Sequence, residues 1–237
     1  MFFAFGPRSP LDESREPILR APRIVTNFII VFFVVHVGSF FLTNDQYAYL
    51  IANFALTPSE LAASPGIGFD LETLRHAMQF VSYAFLHADF SHLIFNSVAF
   101  LIFATPVARR VGPGRLVVLL LVTAIGAAIT HLVFHWGSPS PVVGASGAIS
   151  GLMGAAFRFI FIDPNARMVW PPSLLPLTSR PVLLAAAVMV AMNVVLGLTG
   201  FTPDGFGAPI AWEAHLGGFF TGLLIFPVFD RQRSFIS

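Results

Sequence analysis

Gly144-Ala145-Ser146-Gly147-Ala148-Ile149-Ser150-Gly151-Leu152-Met153-Gly154 opens an apolar run that extends from Ser146 to Ile162. Gly147 and Gly151 stand four apart and share a helix face. Small residues at that spacing let two helices approach closely in lipid, where packing replaces the hydrophobic drive between helices. A second run of the same kind lies near the C-terminus. In Trp212–Phe229, Ala214, Gly218 and Gly222 repeat at the same four-residue interval. The pattern predicts two helices in contact, one carrying Ser146 and the other His215.

Working outward, four more segments have the length and polarity of a membrane span, which takes roughly 20 apolar residues. They are Ile24–Leu42, Ser91–Ala108, Leu116–Phe134 and Pro181–Thr199. With Ser146–Ile162 fourth and Trp212–Phe229 sixth, the expected fold is an all-α polytopic membrane protein, a bundle of six transmembrane helices. The composition agrees. The chain has 237 residues, 56% hydrophobic and 11% charged, with a mean hydropathy of +0.79. A soluble domain carries about 25% charged residues. We expect one bundle over 24–230, a tail over 1–23 and a short tail over 231–237. The connection 43–90 is too polar to span but holds apolar stretches such as Tyr47–Leu56, and is expected to lie partly at the membrane interface.

A net charge of +1 leaves no basic patch for nucleic acid. The absence of Cys excludes disulfides, thiolate catalysis and Cys-ligated metals. The thirteen basic residues are all Arg. With the N-terminus inside, Arg8, Arg15, Arg20, Arg23, Arg109, Arg110, Arg115, Arg158, Arg167, Arg180, Arg231 and Arg233 are cytoplasmic, and only Arg75 is outside. Both termini are therefore expected inside. The loops 43–90, 135–145 and 200–211 then face out. The compact chain leads us to expect a bacterial inner membrane, with the site opening to the periplasmic side.

Polar residues inside a membrane are costly and mark function by default. His92 and Asn96 lie in the first turns of span two, Ser146 opens span four, and His215 lies in the first turn of span six. Alternate spans start on one side, so all four sit at a similar shallow depth. His92 and Asn96, four apart, share a helix face. A Ser needs an adjacent base to become a nucleophile, and His is the usual one. Acyl transfer also needs donors for the oxyanion. Asn96, His92 and the Ser146 N–H supply candidates. No Asp or Glu is placed to orient His215, since Glu213 points elsewhere on a helix.

These residues fall into motifs. Gly144-Ala145-Ser146-Gly147 resembles the G-x-S-G nucleophile motif of rhomboid proteases. His87…His92…Asn96 looks like that family's H-x-x-x-x-H-x-x-x-N signature. Ala214-His215-x-x-Gly218-x-x-x-Gly222 is similar to its sixth-span motif. The resemblance covers about 24–230 and implies a six-span, rhomboid-like intramembrane serine endopeptidase. It implies a Ser146–His215 dyad and an oxyanion hole from His92, Asn96 and Ser146, and supporting roles are expected for His87, Gly144, Gly147, Ser150 and Gly218. It also implies membrane-protein substrates that reach the site from the bilayer beside span five. Two features depart from the family pattern. The position one turn after the nucleophile, often aromatic, is Ser150, which leaves a hydrogen bond or another span to hold His215. The first outer loop lacks an obvious Trp-Arg pair.

Blander readings exist for each residue. Ser146 could be a packing residue or helix cap, and His92 and Asn96 could be interhelical hydrogen-bonding groups. Asp89 is expected to cap span two. His36, His76 and Asn193 read as structural. His131 and His135, four apart near the outer end of span three, make an incomplete metal site, so neither metal nor cofactor is expected. Two rival functions compete with the protease. An inactive rhomboid-like binder of membrane proteins is disfavoured by the intact Ser146 and His215. A transporter using His92, Asn96 and His215 as a polar path is disfavoured by their shallow depth and by the lack of an internal repeat.

Overall fold

The computed structural model describes residues 21–63, 70–161, 174–199 and 211–230. The tail over 1–20, the expected end of span four at Ile162, the loop over 200–210 and the tail over 231–237 lie outside the described residues, as does Arg167. Nine α-helices are described: α1 Arg23–Ser39, α2 Asn44–Phe54, α3 Pro58–Ala63, α4 Leu71–Ser82, α5 Phe90–Val111, α6 Pro113–His135, α7 Ser146–Phe157, α8 Arg180–Thr199 and α9 Trp212–Phe229. The fold is an all-α bundle. Helices α5, α6, α8 and α9 are long and apolar enough to cross a membrane. The apolar helices α1 and α7 are shorter.

Span six has the expected bounds. Spans two and three run longer than the apolar stretches, because Arg109, Arg110 and Arg115 are still helical at the ends where a charge can reach water. Span four runs shorter and stops at Phe157. Arg158 caps it, with a buried guanidinium donating to the Leu175 and Leu223 carbonyls. The twelve residues of α7 are about 18 Å long at 1.5 Å per residue. A hydrocarbon core is about 30 Å thick. Helix α7 cannot cross it alone, so it lies inside the bundle with most of its residues buried.

The connection 43–90 is mostly structured. Thr43 and Gln46 form a reciprocal capping box on α2. The Asp70 side chain caps α4, and Arg75 in α4 pairs with Glu60 of α3 at 2.6 Å. Leu56 and Val142 exchange backbone hydrogen bonds of 3.1 and 2.9 Å. That bridge ties the connection to the segment leading into Ser146. Tyr83 adds a second tie, since its carbonyl accepts from Gly144 N–H at 3.0 Å and its hydroxyl donates to the Ala124 carbonyl at 3.0 Å.

Helix α7 packs against α9 more extensively than any other pair of elements. The glycines are the cause. A Cβ at Gly218 would overlap the Gly147 carbonyl oxygen, and one at Gly222 would overlap that of Gly151. At the opposite end of the bundle from Ser146, Arg110 pairs with the buried Asp230 at 2.8 Å, and Arg115 donates to the Phe229 carbonyl.

Candidate active site

Ser146 is the first residue of α7, and His215 lies in the first turn of α9. The close α7–α9 approach brings them together. His215 Nε2 is 2.9 Å from Ser146 Oγ. On its other side, His215 Nδ1 is 2.9 Å from Asn193 Oδ1 of α8. The Asn193 side-chain Nδ2 donates to the Met189 carbonyl at 2.9 Å. A carbonyl only accepts, so Nδ2 must face Met189 and Oδ1 must face His215. His215 Nδ1 therefore carries the proton and donates it to Asn193. Nε2 is left with its lone pair towards the Ser146 hydroxyl, which donates to it.

The sequence reading took Asn193 as structural, and the structure sets its side chain against His215. Among the described residues, Asn193 and no Asp or Glu hydrogen-bonds His215 Nδ1. It is 1% exposed, so its hydrogen bond to His215 is shielded from water. The available signal was the amide of Asn193 inside the otherwise apolar run 181–199.

The α5 residues come to the same place from the other side. The Asp89 side chain accepts from His92 N–H at 2.8 Å and starts α5. Asn96 follows one turn later and is 4% exposed, and its Nδ2 has no hydrogen-bond partner among the described residues. Gly144 has φ +119°, a region that L side chains rarely adopt. A Cβ there would stand 2.6 Å from His92 Nε2 and 3.5 Å from Asn96 Nδ2. The glycine lets the backbone before Ser146 lie directly against both side chains. The first N–H groups of α7 have no partner within their own helix, and a helix start carries partial positive charge.

The remaining sequence candidates take other positions. His87 is buried with its ring against Phe32 and His92, and its carbonyl accepts from His36 Nδ1 at 3.1 Å. It braces His92 and does not reach Ser146 or His215 by any hydrogen bond among the described residues. Burial in this cluster pulls the His87 pKa down to about 3. Ser150 is buried within α7. Gly147 and Gly218 belong to the α7–α9 contact. Glu213 faces away from His215 and pairs with His131 of α6 at 2.6 Å.

Residues 74–232 match the family model described as Rhomboid domain. The chain belongs to the rhomboid family, and it is a multi-pass membrane protein. It is similar to RHOMBOID-like protein 4 of Arabidopsis thaliana, 27% identical over 224 residues, covering 86% of this chain and 52% of that protein. It is similar to a rhomboid protease GlpG of Klebsiella pneumoniae, 29% identical over 147 residues, covering 62% of this chain and 46% of that one. Over 70 residues, 30% of this chain and 13% of the other, it is 43% identical to rhomboid protease GluP of Bacillus subtilis. The chain spans about half the length of the first two.

Proposed function

We propose that this chain is an intramembrane serine endopeptidase that cleaves membrane-protein substrates through an acyl-enzyme. The observation that carries the reading is the Ser146 Oγ–His215 Nε2 hydrogen bond of 2.9 Å, with the far nitrogen of the same ring anchored on Asn193. Two relatives named as rhomboid proteases lend it support. His215 removes the Ser146 proton as Oγ attacks the substrate carbonyl, then returns it to the leaving amine. Water, activated by the same ring, releases the acyl group. Asn193 is a positioning residue that holds the productive tautomer. Asn96 Nδ2, the His92 side chain and the Ser146 N–H donate to the oxyanion.

The short α7 fits this chemistry. Its start lies within the bundle, and irregular backbone at membrane depth is tolerated where protein or a water-filled cavity surrounds it. A substrate helix hides its carbonyls in its own hydrogen bonds, so it must unwind locally. Substrates with helix-breaking residues near the outer surface are favoured. Helix α8 buries little of its surface, which suits lateral substrate access beside it.

Labelling with a serine-directed phosphonate tests the reading. Wild-type protein in detergent should label at Ser146 and cleave a single-span substrate. Ser146→Ala should do neither. Cleavage that persists in Ser146→Ala would point to another nucleophile.

A further inference from the structure

His131 and His135 lie one turn apart on α6, and Glu213 of α9 faces both. Glu213 Oε1 is 2.6 Å from His131 Nδ1 and 3.2 Å from His135 Nδ1. The imidazole rings are parallel, 8° apart in plane, with centroids 4.6 Å apart. One ligand atom from each of the three residues lies within 4.8 Å of the others. Glu213 is 2% exposed, yet its second oxygen, Oε2, has no hydrogen-bond partner among the described residues. A carboxylate buried only for an ion pair would be expected to satisfy both oxygens. From these observations we infer that His131, His135 and Glu213 form a binding site for a divalent transition metal of the zinc class. It lies at the Ser146 end of the bundle and is separate from the proposed protease chemistry.

The donor set selects the metal. Two imidazoles and one carboxylate suit Zn²⁺, whereas Ca²⁺ and Mg²⁺ take oxygen ligands. Zinc–ligand bonds of about 2.0–2.2 Å in a tetrahedron place ligand atoms roughly 3.3–3.6 Å apart. The present separations of 2.6 and 3.2 Å need to open by about 1 Å or less to reach that range. Neutral imidazole carries one N–H, so a ring that ligates through Nδ1 keeps its proton on Nε2. His135 is half exposed and Glu213 and His131 are buried. The ion therefore approaches from the His135 side, and water takes the fourth position. The bound metal would cross-link α6 to α9 two residues before His215.

The full chain, purified in detergent with a histidine-free affinity tag and stripped with a chelator, tests the site. Zn²⁺ titrated calorimetrically should bind at one per chain. Co²⁺ should give the intense visible absorption of a tetrahedral centre, and Zn²⁺ should bleach it. His135→Ala and Glu213→Gln should each weaken binding about 10-fold or more. The exposed position of His135 makes the first variant safe for folding should the second fail to accumulate. No saturable Co²⁺ spectrum in the wild type, or Zn²⁺ affinity unchanged in His135→Ala, would overturn the site and leave an ion pair only.

Discussion

Asn193 holds His215 through a geometry that a neutral amide supplies without adding a charge to the bundle. Its Nδ2 is committed to Met189, so its Oδ1 fixes the imidazole tautomer. Asn193→Leu should lower kcat about 10–100-fold, the usual cost of losing a group that orients a reactive side chain, with KM little changed. Measuring kcat and melting temperature on one preparation separates this from a packing defect. Asn96 makes a stronger demand. Its buried Nδ2 has no hydrogen-bond partner among the described residues, and a group that acts only on developing charge should affect turnover alone. Asn96→Ala should lower kcat by about 10²–10³ and leave KM nearly unchanged. A destabilised variant with normal turnover per folded molecule would remove Asn96 from the catalytic list. Sequence reading set Ser146, His215, His92 and Asn96 at one depth by helix parity, and the structure places Ser146 within hydrogen-bond distance of His215. It did not foresee the Asn193–His215 hydrogen bond, which depends on how α8 lies beside α9, and no spacing within either helix encodes that.

At the scale of elements, the α7–α9 contact is made by glycines facing backbone. The Gly147 carbonyl occupies the space a Cβ at Gly218 would need, and backbone cannot rotate aside as a side chain can. Gly218→Ala should destabilise the fold by about 1–3 kcal/mol or more and should slow Ser146 labelling by parting it from His215. Gly114→Ala, near the start of α6 with nothing within 4 Å of its would-be Cβ, is the control and should be neutral or slightly stabilising. Equal stability of the two variants would show that the helices are not held by this contact. The four-residue glycine intervals were plain in the sequence. So was the extent of α9, whose apolar run has clear polar limits. The end of α7 was not, because hydropathy continues through Phe159-Ile160-Phe161 while the buried Arg158 turns the chain. The short helices over 43–90 were also missed. Their signals are caps such as Thr43 with Gln46, not hydrophobic runs.

For the whole molecule, the decisive quantity is which end faces the cytoplasm. Arg23 starts α1, Arg109 and Arg110 end α5, Arg115 lies in the first turn of α6, Arg158 caps α7 and Arg180 starts α8. Helical alternation puts these at the end away from Ser146, and the Arg110–Asp230 pair and the Arg115–Phe229 hydrogen bond join them to the end of α9. Arg75 sits with the connection 43–90 at the other end. Positive residues are retained on the cytoplasmic side, so the Ser146 end is expected to face out. A topology reporter fused after Ser237 should read cytoplasmic, and one inserted near Ser64 should read external. Neither insertion point falls within α7 or α9. If the two reporters give the reverse readings, the orientation is wrong and substrates are cut near the inner surface. Equal readings from both would contradict the five spans expected between them, and with them the six-helix parity expected to set Ser146, His215, His92 and Asn96 at one depth.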